Sequence, residues 1–439
     1  MESQALSPTD RLLSLLDHLG LDRAHIATQM PGDIADLAAG FGDRLGGVVL
    51  CVPTRLDAVS FESLPERVLM ICGERGLTAE VTARAAARLI GARRIVLAGY
   101  DAPGWADVVA DRTDEIVRET TGFLGALPAG VPAVRAGEGT HAGITYRIEG
   151  SGPALLLLPF FLAPSQWTPA VPQLAESFTV VTLGGPHLGG VATLEDRARA
   201  PTYQAMFRTL IDLMAPKPGE TILDVGCGAG SLDRLLARRL GVANPITAMD
   251  TNSFLLSEGA ALAKADGLDG FIRFVPGNAE ALPFADASFD CLFSITVLEE
   301  CDADRALGEM VRVAKPGGRV GVIVRSLDLP QWWSVDMPEA IRRKIVTPPQ
   351  SVAARGVADA SLYRRARAAG LRDLTCFPAL VTLDRPEGPI WRYREDHLLA
   401  QLTPAETADW QAARDIAARQ GLLFMAHPMH CVVGHKPAC

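Results

Sequence analysis

Residues 221–230 read Thr-Ile-Leu-Asp-Val-Gly-Cys-Gly-Ala-Gly, with one carboxylate directly ahead of three glycines. An apolar run ends at Asp224, the chain turns through Gly226, Gly228 and Gly230, and Leu232, Leu235, Leu236 and Leu240 follow at helical spacing. Strand, glycine turn and helix make a binding corner of nucleotide size, because glycine lets a ligand approach the backbone. The dinucleotide fingerprint G-x-G-x-x-G would need glycine where the chain has Ser231. A carboxylate at Asp224 suits an ammonium group better than a pyrophosphate. A second acid, Asp250, ends the next apolar run, and a carboxylate there can accept hydrogen bonds from both hydroxyls of a ribose.

The run 221–230 resembles motif I of the class I S-adenosylmethionine (SAM)-dependent methyltransferases. The landmarks after it keep the family's order: strands over 246–250 and 271–275, the segment 277–284, a fourth strand over 288–294, the turn Ala314-Lys315-Pro316-Gly317-Gly318 and a fifth strand over 320–324. The resemblance implies an α/β, Rossmann-like domain whose seven-stranded sheet ends in an antiparallel strand, with SAM as cofactor. It implies cofactor contacts from Asp224, Gly226, Cys227, Gly228, Gly230, Asp250, Thr251, Asn278, Ala279, Glu280 and Ser294. Asn278 stands where the family usually has Asp; its side-chain oxygen can still accept a hydrogen bond from the adenine amino group.

Several chemistries are set aside. Methylation of exocyclic base amines usually goes with an Asp/Asn-Pro-Pro-aromatic run after the fourth strand, and this chain reads Ser294-Ile295-Thr296-Val297-Leu298-Glu299-Glu300. No Pro-Cys nucleophile stands there either. Cys227, Cys291 and Cys301 read as small packing residues, and the eight cysteines form no C-x-x-C pair, so neither a zinc site nor a dithiol is expected. A net charge of −9 favours neither nucleic acid nor an anionic membrane. The run 153–164 is too short to span a bilayer, and the first residues lack a basic patch followed by an apolar run. A reducing cytoplasm, a small-molecule substrate and a homodimer are the corresponding expectations.

The methyltransferase domain is expected over 196–439. Its opening helix holds Tyr203, Met206, Phe207, Leu210, Ile211 and Met214; in the family such a helix folds over SAM, so Tyr203 is a candidate contact to its carboxylate or to substrate. Insertions over about 328–345 and 384–420 depart from the minimal fold and are expected to cap the substrate pocket. They carry Trp332, Trp333, Trp391, Tyr393 and an amphipathic helix near 404–419 with Thr403 as N-cap. Methyl transfer is an in-line displacement that rests on alignment, and a phenol or enol acceptor must first lose a proton. His397 is the leading candidate base, followed by Glu300 and Asp302; Glu300 replaces the His of a common Leu-Glu-His run. His427 and His430 lack a third ligand and are not read as a metal site.

The first 195 residues tell a different story. Residues 8–124 resemble the second half of an α/β-hydrolase, with Thr28-Gln29-Met30-Pro31-Gly32 where that family has Gly-x-Ser-x-Gly, Gly76 in place of the triad acid and Asp101 in place of the histidine. Residues 138–195 resemble the first half: a hairpin over 143–152, then Ala154-Leu155-Leu156-Leu157-Leu158-Pro159-Phe160 as the strand ending in the oxyanion-hole loop, with Pro159-Phe160 where that loop usually carries His-Gly. A Gly/Pro/Ala linker over 125–137 joins them. The expectation is a degenerate, circularly permuted hydrolase-like domain over 8–195 that forms a single sheet and does no chemistry. For the whole chain the reading is methyl transfer to an O or C atom of an aromatic, quinone-like or natural-product acceptor. A SAM-binding sensor and a SAM-fold enzyme of other chemistry, such as decarboxylation or hydroxylation, remain open at this point.

Overall fold

The structure is a computed structural model and describes residues 6–100, 108–133, 136–160, 164–346, 352–384, 388–399 and 401–438. The chain divides into two compact units, Met1–Ala192 and Thr193–Cys439, with the boundary inside the Gly189–Arg199 helix.

The first unit is built on eight strands: β1 (Ala24–Thr28), β2 (Leu45–Cys51), β3 (Val68–Gly73), β4 (Arg93–Leu97), β5 (Gly137–His141), β6 (Ile144–Gly150), β7 (Ala154–Leu157) and β8 (Thr179–Gly184). They form one sheet in the order β4-β3-β2-β1-β7-β8-β6-β5. The two sequence segments therefore meet edge to edge, with His25, Ile26 and Ala27 of β1 paired in parallel with Leu155, Leu156 and Leu157 of β7. Every residue of β1, β2, β3 and β7 is buried, the pattern of parallel strands covered on both faces. The linker is pinned to the seam: Gly130 N donates to Arg23 O at 2.8 Å, and Ala154 N donates to Gly130 O at 2.7 Å.

The hairpin expected over 143–152 is instead β5 and β6, turning at Ala142-Gly143 with φ of 49° and 77°. Two successive left-handed residues match the twist of a two-residue hairpin, so the glycine at 143 closes the turn rather than opening a strand. Beyond β1, Met30 adopts φ −107° and ψ 78° ahead of a short turn at Pro31–Asp33. Gly76 precedes the Leu77–Arg88 helix at φ 81°. Asp101 lies outside the described residues.

The second unit carries β9 (Ile222–Val225), β10 (Ile246–Asp250), β11 (Ile272–Pro276), β12 (Phe289–Ile295), β13 (Ala314–Arg325), β14 (Trp332–Trp333), β15 (Arg372–Leu383) and β16 (Met425–His435). The order is β11-β10-β9-β12-β13-β16-β14, with β15 also paired to β16. Seven strands were expected and eight are present. β13 leaves β16 at the Arg325–Met429 pair, and β14 takes up the bare edge of β16 at Met425 and Ala426. β16 is antiparallel to β13, as expected. The turn expected over 314–318 is a bulge inside β13: the ladder to β12 steps from Ala314 directly to Arg319.

The Pro201–Met214 helix buries all six residues named from its periodicity. Thr403 caps the Pro404–Arg419 helix through a reciprocal pair with Glu406. The insertion aromatics pack on one another: Trp333 stands edge-on to Trp391 and Trp410, with ring centroids 5.4 and 5.2 Å away. Glu395 accepts from both of those indole N–H groups. They are the insertions' own core.

Candidate active site

β9 delivers Asp224 to the carboxyl end of the sheet, where the chain must reverse to start the Ser231–Leu240 helix. Gly226 and Cys227 donate their N–H groups to Met249 O at 2.7 and 2.9 Å, which ties the turn to β10. Gly226 has φ 85°, and a Cβ there would lie 2.2 Å from Val297 Cγ2. Gly230, at φ 67°, occupies the helix N-cap, and a Cβ would meet the Phe274 ring at 2.6 Å. Two glycines are thus required by close approach as well as by backbone angle.

Asp250 holds the turn from the other side. Its Oδ2 accepts from Gly228 N and its Oδ1 from Asn252 N, both at 2.9 Å. Each oxygen keeps a second acceptor site, as a ribose diol requires. Thr251 is exposed beside it. Asn278 is exposed and its Oδ1 accepts from Glu280 N at 2.9 Å, while Ala279 is buried among Leu223, Val225, Met249 and Leu282. Glu280 in turn accepts from Asp302 N at 2.9 Å. Ser294 is fully buried and donates to Val225 O at 2.8 Å, so it staples β12 to β9. Burial and nearby acids push the Cys227 thiol well above its ordinary range, which suits packing and not nucleophilic attack.

Asp224 is 3% exposed, and the side chain that bears most directly on it is another carboxyl, Asp233. A buried carboxyl with no cation beside it at the mouth of a glycine turn fits the ammonium of SAM. The residues present therefore suit the implied cofactor: Asp224 for its amino-acid end, the turn for close approach, Asp250 for its ribose and the 278–280 segment for its base.

The catalytic candidates fare differently. Glu300 is exposed and pairs with Arg325 at 2.6 Å. Asp302 is the N-cap of the Ala303–Val313 helix, accepts from Arg305 N at 3.2 Å and pairs with Arg355 at 2.6 Å. Both carboxylates pair with arginines. His397 sits in the Gly388–Leu399 helix, and its side chain lies outside the described residues. Tyr203 is 1% exposed, and its hydroxyl has no hydrogen-bond partner among the described residues.

Tyr203 belongs to a group that spacing did not disclose. The Arg197 guanidinium lies 5.1 Å from the Tyr203 ring centroid and donates to Thr296 Oγ1 at 3.2 Å. Thr296 leaves the end of β12 at φ 58°, a strained setting for a β-branched residue. Glu299 is fully buried; its Oε1 accepts from Arg325 N at 2.7 Å and Arg325 Nε at 3.2 Å, while Oε2 has no partner among the described residues. Burial raises its pKa. His427, buried on β16, is held neutral first by burial and then by the field of Arg394, Arg197 and Arg325. All lie where β9, β12 and β13 end and β16 begins, the edge at which open α/β sheets bind ligands. The sequence signal was faint: Glu299 adjoins the Leu-Glu-Glu run, but Arg197 and His427 are distant in the chain. His430, three residues on from His427, points to the other face of the strand and is held by Asp328 at 2.7 Å and Tyr363 at 2.8 Å.

Residues 223–322 match the family model described as "Methyltransferase domain". This segment is a class I SAM-dependent methyltransferase domain. The ubiquinone/menaquinone biosynthesis C-methyltransferase UbiE of Legionella pneumophila (strain Paris) is 39% identical over 117 residues, 26% of this chain and 47% of that protein. The chain thus spans about half the length of the curated relatives it matches. Among solved structures, the YcgJ protein from Bacillus subtilis is 18% identical, with a TM-score of 0.38 over 53% of this chain and 99% of that one. A geranyl diphosphate C-methyltransferase from Streptomyces coelicolor, solved with S-adenosyl-L-homocysteine, is 18% identical with a TM-score of 0.33 over 55% of this chain and 80% of that one. No described helix is long and apolar enough to cross a membrane.

Proposed function

We propose that this chain is a SAM-dependent methyltransferase acting on an O or C atom of a small aromatic, quinone-like or natural-product acceptor. The observation that carries the reading is the glycine turn between a buried Asp224 and an Asp250 that anchors the turn and retains free acceptor sites. SAM supplies the methyl group as an electrophile when bound. The chain's own residues bind it, orient it and keep water out. Similarity to quinone C-methyltransferases over the cofactor segment favours this class of acceptor.

Tyr203, Arg197, Glu299 and His427 are proposed to line the acceptor side. His427 is neutral and so able to accept a hydrogen bond, while the arginine field favours an acceptor that reacts as its anion. Catalysis is then chiefly alignment. His397 stays a candidate for the same role.

The first unit is proposed to be a non-catalytic, permuted hydrolase-like domain. Its support is the order β5-β6-β8-β7-β1-β2-β3-β4, in which the segment resembling a hydrolase's first half precedes the other across the sheet. Met30, where the nucleophile would stand, has an ordinary negative φ and no strained elbow around it.

The test is calorimetric titration with SAM and S-adenosylhomocysteine, followed by labelled-methyl transfer to phenols, quinones and carboxylic acids. Micromolar binding and label in a product are expected. Binding with no product across that panel would favour a SAM-binding sensor, and an unlabelled altered product would favour other chemistry on the same fold.

A further inference from the structure

The cofactor corner holds one acid more than the ligand requires. Asp233, on the first turn of the Ser231–Leu240 helix, is fully buried, and neither of its oxygens has a hydrogen-bond partner among the described residues. The group it faces is the Asp224 carboxyl, itself buried. Only a proton between the two would bond them.

The surroundings offer little relief. Cys227 from the turn, Asp250 from the end of β10 and Tyr203 from the Pro201–Met214 helix also face the pair, and none is a cation. Arg234 follows Asp233 in its own helix and its charge pulls the Asp233 pKa down, but the guanidinium pairs with Glu195 and with Asp266 at 3.1 Å, and burial outweighs its field at Asp233. Both Asp250 oxygens already accept backbone N–H groups. Two adjacent carboxylates in a dry site cannot both ionise without a counter-charge. Burial accordingly holds Asp233 at about 7 and Asp224 well above the usual carboxylate range.

We propose that Asp224 and Asp233 share one proton in the free protein and that the ammonium group of SAM expels it on binding. The exchange balances: one cation enters beside the pair as one proton leaves to solvent, so the local charge is unchanged. Asp233 is thereby a positioning residue, one that keeps Asp224 partly neutral until the cofactor arrives. The idea rests on the SAM-binding reading and deepens it.

The experiment uses the full chain at pH 6.5, titrated calorimetrically in two buffers of different ionisation enthalpy. S-adenosylhomocysteine carries the ammonium; 5′-methylthioadenosine keeps the adenosine thioether and lacks it. The expected result is release of about half a proton or more with S-adenosylhomocysteine, and distinctly less with 5′-methylthioadenosine. Release should fade once the pH is high enough for the free pair to have lost its shared proton. Asp233→Asn should bind S-adenosylhomocysteine while releasing less than half as much as the wild type. Equal release by the two ligands, or by the variant and the wild type, would overturn the exchange. Should Asp233→Asn fail to fold, the two-ligand contrast in the wild type decides alone. No binding of S-adenosylhomocysteine would overturn the cofactor reading itself, whereas binding without proton release would overturn only the shared proton.

Discussion

The two units are both eight-stranded α/β sheets with parallel centres, and they differ most at the carboxyl ends of their strands. In the first, those ends carry Met30, Val52, Pro159 and Phe160, and the Phe160 ring packs 4.4 Å from that of Trp167. Several polar groups nearby are spent inside the protein: Asp33 accepts from Gly189 N at 2.9 Å, and Trp167 donates to Leu158 O at 2.7 Å, while the neutral Ser165 hydroxyl is buried with no hydrogen-bond partner among the described residues. In the second, Asp233, Tyr203 and Glu299 keep buried atoms with no described partner. The first unit's donorless His25 lies at the other end of its strand, against Gly46 and Phe178. A shared architecture therefore says little about chemistry. What separates the two edges is the kind of buried group left without a partner among the described residues: a neutral hydroxyl at the first, ionisable side chains at the second.

That contrast can be broken most forcefully at Gly226. Gly226→Ala combines φ 85° with a Cβ 2.2 Å from Val297, so a loss of about 2–4 kcal/mol of stability and loss of S-adenosylhomocysteine binding are expected. Denaturant melts and calorimetry check it; wild-type behaviour would mean that the turn is soft and the cradle is not preformed.

His25 probes the first unit in the same way. Burial lowers its pKa from 6.5 to about 4, so the neutral ring is the folded form. The unfolded chain binds the proton more readily, and stability is complete above pH 6.5 and falls as pH drops toward 4. The expected loss is about 3 kcal/mol. His25→Leu should flatten that dependence in a melt series from pH 7 to 4; an unchanged slope would assign the acid sensitivity to other groups.

Asp250→Ala removes both the anchor of Gly228 and the proposed ribose acceptor, and should weaken S-adenosylhomocysteine binding by about 1–3 kcal/mol. Unchanged affinity would place the ribose elsewhere. Met30→Ala carries the smallest expected effect: methyl transfer unaltered once an acceptor is known, with normal folding. A large drop in rate would contradict an inert first unit and erase the contrast between the two edges.

Some of this was legible from spacing alone. The Asp224–Gly230 run, the amphipathic helix through Tyr203 and Met214, and the capping pair Thr403 and Glu406 are local patterns, and local patterns are what a chain displays without folding. The same reasoning set the first hairpin too late, because Gly143 reads equally well as the start of a strand and as the second residue of a tight turn. It named Glu300 and Asp302 without showing that one pairs with Arg325 and the other caps a helix N-terminus. A carboxylate's partners are not written beside it.

The sequence by itself determined that a carboxylate and three glycines would form a cofactor corner, and that the first unit carries no serine nucleophile at Met30. Only the tertiary structure decided that 8–124 and 138–195 join at β1 and β7, since strand pairing is a long-range choice of register. It alone brought Arg197, Thr296, Glu299 and His427 to one edge, and set Asp233 against Asp224. Burial and the absence of a partner are properties of the surroundings, and surroundings exist only after the chain has folded.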